Sequence, residues 1–360
     1  MDGGAILMEK VLSEITYIDL FCGIGGFRVA ANRVFEKLGI PSKCVFSCDI
    51  DPMARKTYHA NFGDCPEGDI TQIEANLIPD HYLLFAGFPC QPFSIMGNGK
   101  GFNDTRGTLF FDIARIIEAK RPKAFVLENV KQLVTHKRGH TFKRIKETLE
   151  CLGYFIDYRI LNALDYGLPQ KRERVFIVGF YKPMDFQWPH KIKNRVSLSE
   201  ILETDVPRKY YASEYIISKR MEKHQSKETP SIWHENKAGN VCSYPYSCAL
   251  RAGASHSYLL VNGIRRLTPR EMLRLQGFPD SFEIVVSDQQ VRRQAGNAVP
   301  VNVVQAILES FVPILAQDTG LEKSKLIYKA EINSETHARK TAQVANCRKS
   351  LSSVPVEQIS

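Results

Sequence analysis

Short apolar runs alternate with longer amphipathic runs over the first half of the chain. Between residue 15 and about residue 180, runs such as ITYIDLF, CVFSCDI and YLLFAGF predict strands, and the stretches between them predict helices. The helix GFRVAANRVFEKLG is expected to stop at Gly39 and Pro41, and Pro52 suits the first turn of the next helix. Strands that alternate with helices favour an α/β fold with a doubly wound, mainly parallel sheet.

The pattern changes after residue 180. Residues 181–265 are polar and irregular, and they carry more Lys and Arg than Asp and Glu. Apolar patterning returns in RRLTPREMLRLQGFPDSF and in the helix-like VPVNVVQAILESFVPIL. From about residue 318 the chain is polar and poor in aromatic residues, which is typical of a disordered tail.

Composition indicates a globular protein. The chain has 360 residues, of which 44% are hydrophobic and 24% are charged, and no apolar run approaches the length of a membrane span. Its start lacks the basic lead of a signal peptide, so we expect a cytoplasmic protein without membrane contact. A net charge of +9 fits a polyanionic partner, although many basic proteins bind nothing acidic. No CxxC pair or Cys/His cluster is present, and no metal site is predicted.

Four polar or reactive side chains stand at the carboxyl ends of predicted strands. They are Asp19, Asp49, Cys90 and Glu128. Ligands of parallel sheets bind at this edge, so we expect these side chains to meet at one site.

The glycines of DLFCGIGGF let a ligand approach the backbone at a helix N-terminus. Asp49 can accept both ribose hydroxyls of an adenosine. Alternatively it caps the helix that begins at Pro52, a position that Asp51 suits better. The rival interpretation is a dinucleotide site, but Arg28 stands where that fingerprint needs its third glycine.

Cys90 is held between prolines, just beyond an apolar run. A packed strand cysteine is the plainer interpretation, but the prolines restrict where its sulfur can point. Glu128 follows four apolar residues, so it is either paired or has a raised pKa. Arg172 and Arg174 share one face if extended, although a solvated charge cluster is the alternative. Together these groups supply a nucleophile, an acid and a holder for an anion or a carbonyl.

These stretches resemble the ordered motifs of the cytosine-C5 DNA methyltransferases. The motifs are DLFCGIGGF, GFPCQPFS, ENV, QKRERVFIVG, RRLTPREMLRLQGFP and QAGNAVPVNVV, with a variable gap at residues 181–264. The resemblance implies a class I S-adenosylmethionine-dependent methyltransferase fold, with S-adenosylmethionine as methyl donor and no metal. It also implies five segments: an N-terminal extension (1–14), the catalytic domain (15–180), a smaller target-recognition domain (181–290), a C-terminal helix that completes the catalytic domain (291–317) and the tail (318–360).

The resemblance assigns chemical roles to four residues. Cys90 would add to C6 of a flipped cytosine, so that C5 can take the methyl group. Glu128 would hold N4 and N3 and favour protonation at N3. Arg174, and more loosely Arg172, would hold the O2 carbonyl. The glycines that follow Cys90 would serve as hinges of a lid over the flipped base; they are Gly97, Gly99 and Gly101.

The resemblance also implies binding residues. Asp49 would bind the ribose, Ile50 the adenine face and Asp69 the adenine amino group. The full cofactor set is Asp19, Phe21, Gly23, Gly25, Asp49, Ile50, Asp69, Ile70, Pro89, Leu109, Asn297 and Ala298. The expected DNA contacts are Ser94, Lys237, Leu250, Arg251 and His256. Two positions depart from the family's pattern: Ala249 precedes Leu250 where a threonine is usual, and Ala298 stands where relatives can carry serine.

The expected substrate is double-stranded DNA, methylated at a specific sequence. We expect a monomer that protects host DNA in a restriction–modification system, with a cognate endonuclease acting separately. A transfer RNA methyltransferase of the same family and an inactive DNA-binding relative remain alternatives. A nicotinamide-dependent oxidoreductase is a further rival, but it leaves Cys90, Glu128 and the arginines without a shared task.

Overall fold

A computed structural model of the chain describes residues 14–89, 109–192, 194–226, 228–255 and 257–317. The strands are β1 (Ile15–Leu20), β2 (Ser42–Cys48), β3 (Leu83–Gly87), β4 (Ala124–Val130), β5 (Phe155–Asn162), β6 (Gln170–Lys171), β7 (Glu173–Phe180), β8 (Ile232–Glu235), β9 (Val241–Tyr244), β10 (Ser247–Cys248) and β11 (Leu259–Val261). The α-helices are α1 (Gly26–Leu38), α2 (Pro52–Phe62), α3 (Leu109–Lys120), α4 (His140–Cys151), α5 (Leu198–Ile201), α6 (Glu214–Lys223), α7 (Pro269–Leu275), α8 (Asp288–Asn297) and α9 (Val301–Gln317).

A six-stranded sheet in the order β2-β1-β3-β4-β7-β5 forms the centre of the molecule. The pairs β1–β2, β1–β3 and β3–β4 are parallel, whereas β7 runs antiparallel to both β4 and β5. No α-helix separates β5 from β7, and a short connection of this kind joins antiparallel neighbours because parallel ones need a longer crossover. The predicted mainly parallel sheet is confirmed, with one reversed strand.

Alternate side chains of β1 pack into two layers, one on each face of the central sheet, which we together call the first core. Ile15 and Tyr17 pack on the face covered by α1 and α9, while Ile18 and Leu20 pack on the face covered by α3 and α4. Successive strand residues point to opposite faces, so Asp19 lies on the same side as Tyr17. The helices on both faces confirm the doubly wound arrangement.

The helix α9 returns to the first core, where it packs against α1. Its residues Val304, Ile307 and Phe311 are fully buried in that core. The stretch Asp288–Gln317 is long and apolar enough to cross a membrane by length and composition, but most of its apolar window is buried inside the protein. Its burial is that of a core helix.

The second domain was predicted to end at residue 290, but side chains that precede this residue already belong to the first core. Leu273, Phe278 and Phe282 already pack in the core shared with α1 and α9. The division into domains stays a prediction.

A second, smaller core lies around a three-stranded antiparallel sheet in the order β11-β8-β9. Leu198, Ile232, Leu250 and Leu259 are among its buried residues. The strand β10 pairs in parallel with β6, so this part of the chain is hydrogen-bonded directly to the segment that leads into β7. That pairing places part of the polar middle of the sequence beside the start of β7, at the end of the central sheet where β4 finishes.

Candidate active site

A cavity of about 580 Å³ lies at the carboxyl ends of β1 to β4, the edge at which open α/β sheets bind ligands. Most of the predicted cofactor residues line it: Phe21, Gly23, Asp49, Ile50, Asp69, Ile70, Pro89, Leu109 and Asn297. The catalytic candidates Glu128, Arg172 and Arg174 line the same cavity. Three predicted cofactor residues, Asp19, Gly25 and Ala298, lie outside its lining.

The loop between β1 and α1 has a left-handed backbone. Phe21, Gly23 and Gly25 have φ values of 54°, 55° and 84°. A Cβ atom at Gly25 would lie 2.3 Å from the Phe62 ring, so a larger residue cannot fit without moving the loop or the ring. Arg28 stands at the third position of a dinucleotide fingerprint, where it donates from Nη1 to the Tyr58 hydroxyl at 3.2 Å. The loop thus has the permissive geometry that the glycines predicted.

Asp49 braces this loop from the end of β2. Its carboxylate accepts hydrogen bonds from the main-chain N–H groups of Gly23 and Asp51, each at 2.8 Å. Burial raises the pKa of Asp49, and these two hydrogen bonds oppose that shift. Asp51, not Asp49, caps α2 by accepting from Met53 N–H at 2.9 Å, as the sequence suggested.

Ile50 and Asp69 complete this side of the cavity. Ile50 is 70% exposed, an unusual degree for a large apolar side chain on a cavity wall, and it offers a surface for a flat ring. Asp69 accepts hydrogen bonds through Oδ1 from the N–H and hydroxyl of Thr71, at 3.0 and 2.8 Å. These contacts orient the Asp69 carboxylate at the wall, where its other oxygen has no hydrogen bond among the described residues.

Asp19 is fully buried behind the loop. Neither of its carboxylate oxygens has a hydrogen-bond partner within the described part of the chain. Burial raises the pKa of Asp19 to about 8, with the nearby Asp49 adding to the rise and Arg28 opposing it. Asp19 is therefore a neutral, protonated group over much of the physiological range.

Glu128 and Arg174 form an ion pair on the cavity wall. Arg174 Nε lies 2.9 Å from Glu128 Oε1, and both side chains are largely buried. Burial raises the pKa of Glu128, although Arg174 and Arg172 oppose the shift. The neighbouring Asn129 donates from Nδ2 to the Phe88 carbonyl at 2.9 Å, which ties the end of β4 to the segment that precedes Pro89. The site therefore pairs an acid of raised pKa with a fixed cation.

Arg172 is used differently from Arg174. It is 1% exposed, and its Nη1 donates to the Leu250 carbonyl at 3.0 Å. Its Nη2 donates to the carbonyls of Gly296 and Ala298, at 3.0 and 2.7 Å. Burial lowers the pKa of Arg172 to about 9. Both terminal nitrogens are therefore engaged with the main chain inside the protein.

The predicted DNA contacts differ in their exposure to solvent. Lys237 is exposed in the turn between β8 and β9, and the exposed Arg251 lies 4.7 Å from the centre of the Tyr258 ring. Leu250 is 4% exposed and belongs to the second core, so its side chain does not fit the expected DNA contact. Several predicted positions lie outside the described residues: Cys90, Ser94, Gly97, Gly99, Gly101 and His256.

Among the lining residues that sequence reasoning did not assign to the site are three with long polar or charged side chains or amides: Asn129, Arg293 and Gln294. Gln294 donates to the Met53 carbonyl at 2.9 Å, and it accepts from the Thr57 hydroxyl at 3.2 Å. It therefore fastens α8 to α2 beside the cavity. The sequence contained a signal for two of them, since Asn129 belongs to the ENV motif and Gln294 is the first residue of QAGNAVP. A cluster of three or more His, Cys, Asp or Glu side chains suited to a metal ion does not occur in the described ranges.

Comparison with known proteins places these motifs in one family. The family model for C-5 cytosine-specific DNA methylase matches residues 15–312. The Type II methyltransferase M.NgoBI of Neisseria gonorrhoeae is 56% identical over 292 residues, which cover 80% of this chain and 90% of that protein. The Type II methyltransferase M.HaeII of Haemophilus aegyptius is 53% identical over 311 residues, which cover 86% of this chain and 96% of that protein.

Solved structures share the fold at low sequence identity. The methyltransferase EhMeth of Entamoeba histolytica has a TM-score of 0.66 and 20% identity, covering 84% of this chain and 99% of that one. The Dnmt2 methyltransferase of S. pombe has a TM-score of 0.65 and 21% identity, covering the same shares. This likeness confirms the predicted class I S-adenosylmethionine-dependent methyltransferase fold.

Proposed function

Because this chain belongs to the C-5 cytosine-specific DNA methylase family, it is a DNA (cytosine-5-)-methyltransferase, and we propose that its reaction runs through Cys90, Glu128 and Arg174. The observation that supports these roles is the buried Glu128–Arg174 pair, 2.9 Å apart, on a cavity that Pro89 also lines. Cys90 follows Pro89 directly in the chain. These observations support the proposal that a nucleophile, an acid and a cation act at one site.

The proposed reaction begins with attack by the Cys90 thiolate on C6 of a cytosine flipped out of the duplex. The new S–C6 bond moves the ring's electron pair toward N3, which takes a proton from Glu128 while Arg174 holds the O2 carbonyl. C5 then has enamine character and accepts the methyl group. Loss of the C5 proton to a base returns the electrons to the ring, the S–C6 bond breaks, and the N3 proton returns to Glu128.

Burial raises the pKa of Glu128, which is the direction that favours the protonated form a donor needs. Arg174 and Arg172 oppose this rise. With Arg172 engaged by main-chain carbonyls, we assign the O2 contact to Arg174 alone.

The cavity fits S-adenosylmethionine as the cofactor of the family. The left-handed loop admits a ligand close to the backbone, Ile50 presents an exposed apolar face, and the Asp49 and Asp69 carboxylates lie where hydroxyl and amino groups can be bound. When bound, S-adenosylmethionine supplies the methyl group that C5 accepts. Asp49, Ile50 and Asp69 would orient its adenosine portion.

We further propose a sequence-specific enzyme of a restriction–modification system that acts in the cytoplasm as a monomer. The relatives with the highest identities given above are named Type II methyltransferases, which supports this setting. A cognate endonuclease acting separately is part of the same proposal.

The test of the nucleophile is Cys90→Ser, with Cys65→Ser as the matched control because Cys65 is an exposed free thiol outside the cavity lining. Methylated cytosines in DNA from cells that express the chain first identify the target sequence. Duplexes with a 5-fluorinated cytosine at the target should then trap wild type and Cys65→Ser as stable protein–DNA conjugates. The fluorinated ring cannot release its C5 substituent, so the S–C6 bond persists.

Cys90→Ser should form no conjugate and transfer almost no methyl group, while it still binds DNA and cofactor. Normal turnover in that variant would refute the covalent route. RNA of the same sequence serves as the competing acceptor, and faster methyl transfer to RNA would contradict the assignment of DNA as substrate.

A further inference from the structure

Residues of the second core are held against the segment that leads into β7 through the main chain of Leu250. Gln170 Oε1 accepts from Leu250 N–H at 3.0 Å, and Arg172 Nη1 donates to the Leu250 carbonyl at 3.0 Å. Gln170 and Arg172 are 0% and 1% exposed, so water does not compete for these bonds. Both main-chain groups of Leu250 are thus hydrogen-bonded to the residues just before β7, the strand that contains Arg174.

The same arginine holds a third segment. Arg172 Nη2 donates to the carbonyls of Gly296 and Ala298, which flank Asn297 on the cavity wall. A Cβ atom at Gly296 would lie 2.3 Å from Ala252 N, so only glycine lets these two backbones meet. We call Gln170, Arg172, Leu250 and Gly296 the junction.

The planar guanidinium suits this position. Its two terminal nitrogens reach three carbonyls from two distant parts of the chain, and the rigid fork sets the directions of all three together. A lysine ammonium is a compact charge on a flexible stem and cannot set them in this way. Arg172 Nε is buried and has no hydrogen-bond partner among the described residues.

The junction lies between DNA-facing and reacting groups. Arg251 follows Leu250 directly; its side chain is exposed, and its N–H donates to the Tyr258 hydroxyl at 2.9 Å. Arg174 lies two residues beyond Arg172 and pairs with Glu128. The backbone of Arg251 and Ala252 packs directly against Gly296, whose carbonyl accepts from Arg172, so the Arg251 segment and the partners of Arg172 are in contact.

Resting on the proposed function, we infer that Arg172 is a positioning residue, through which the placement of the Arg251 segment on DNA sets the Glu128–Arg174 pair and the Asn297 wall. The junction would then make the rate of methyl transfer depend on whether the bound DNA has the cognate sequence. Arg172 acts through its neighbours rather than on the cytosine.

The variants are Arg172→Lys, which keeps the charge and loses the fork, and Gly296→Ala, which keeps Arg172 and forces the backbones apart. Arg220→Lys is the matched control, because Arg220 is also buried, at 3% exposure, and donates to the Ser257 carbonyl away from the junction. Thermal unfolding, kcat and KM are measured for each, on the methylated sequence and on duplexes with one changed base pair.

At the methylated sequence we expect kcat of both junction variants to fall on the order of a hundredfold, the scale of a small misplacement of reacting groups. The ratio of rates at the methylated and altered sequences should fall by about tenfold, within the range of coupling between sites. Arg220→Lys should keep both values. An equal loss in Arg220→Lys, or an unchanged sequence ratio in both junction variants, overturns the inference.

Double variants separate positioning from substrate holding. Arg172→Lys combined with Gly296→Ala should lose no more kcat than the worse single variant, because both break one network. Arg172→Lys combined with Arg174→Lys should also lose less than the product of the two single losses, because Arg172 acts through the Glu128–Arg174 pair. Losses of the two arginine variants that multiply would assign Arg172 its own contact with the cytosine. A wild type without methyl transfer at any sequence contradicts the proposed function itself, whereas these outcomes in an active wild type test the junction alone.

Discussion

At the scale of single residues, three buried titratable groups of this protein have three different environments. Glu128 has a charged partner in Arg174, and Arg172 has neutral carbonyls instead of a carboxylate. Asp19 has neither, since both of its oxygens lack partners among the described residues. A buried carboxylate without a partner is costly, so Asp19 keeps its proton to about pH 8.

The environment of Asp19 predicts a pH-dependent stability. The unfolded chain releases this proton near pH 4, about the ordinary value for Asp, whereas the folded protein holds it until about pH 8. Between these values the folded state binds more protons, so the free energy of unfolding falls as the pH rises. Asp19→Asn does not titrate and should therefore be more stable than wild type at pH 8, by more than about 1.4 kcal/mol, the equivalent of one pKa unit.

Urea unfolding of the cofactor-free protein across this pH range measures the effect of Asp19→Asn. Asp80→Asn is the control, because the Asp80 side chain is 94% exposed and should change the pH profile little. Parallel profiles for wild type and Asp19→Asn would contradict the raised pKa.

At the scale of elements, α1 shows how glycine at each end of a helix serves different needs. Gly39 ends the helix in a left-handed conformation with φ of 64°, and a Cβ there would have no heavy atom within 4 Å. Gly25 precedes the helix with φ of 84°, and its Cβ would meet the Phe62 ring. At the C-terminal end, glycine is needed only for the left-handed backbone. At the N-terminal end, it is needed both for the left-handed backbone and for the lack of space beside the Phe62 ring.

These two glycines form a matched pair of substitutions. Gly39→Ala should cost about 1–2 kcal/mol of unfolding free energy, the usual cost of a left-handed alanine, with unchanged cofactor affinity. Gly25→Ala should cost more and should also weaken S-adenosylmethionine binding, since the loop that contains Gly23 must shift. Urea unfolding and titration calorimetry measure the two effects. Equal losses of cofactor affinity in both variants would show that the loop geometry is not what matters.

At the scale of the whole molecule, charge and architecture point to the same partner. The chain carries a net charge of +9, and the segment between the two parts of the first core has an excess of Lys and Arg. That segment contains the exposed Lys237 and Arg251. Phosphate contacts of such residues supply affinity without sequence preference. This charge supports the proposal that the smaller core positions DNA over the cavity.

Binding of duplex DNA should therefore be steeply salt-dependent. Each phosphate contact releases condensed counterions, so affinity should fall on the order of a thousandfold between about 50 and 200 mM salt. Fluorescence anisotropy with a labelled duplex measures the slope. Lys237→Ala should make the slope shallower, whereas Glu228→Ala, a change of charge in the opposite sense in the same segment, should not. An affinity that is flat over this range would contradict phosphate-driven docking.

Much of the fold could be predicted because its signals are local. The apolar runs, Gly39 and Pro52 located β1, α1 and α2 to within a residue or two, and the strand-end positions brought Asp49 and Glu128 to one cavity. The reversed strand β7 was not foreseen, since direction depends on the connection and the neighbouring strands rather than on the strand's own pattern.

The sequence by itself determined the elements, the sheet class and the residue types at the carboxyl edge, because periodicity and turn chemistry act over a few neighbouring residues. Only the tertiary structure decided which polar groups find partners. Arg172 meets carbonyls of Leu250 and Gly296, which lie 78 and 124 positions away, and Asp19 meets none in the described part of the chain. Such partners are set by how the two cores pack together, and no local pattern records that arrangement.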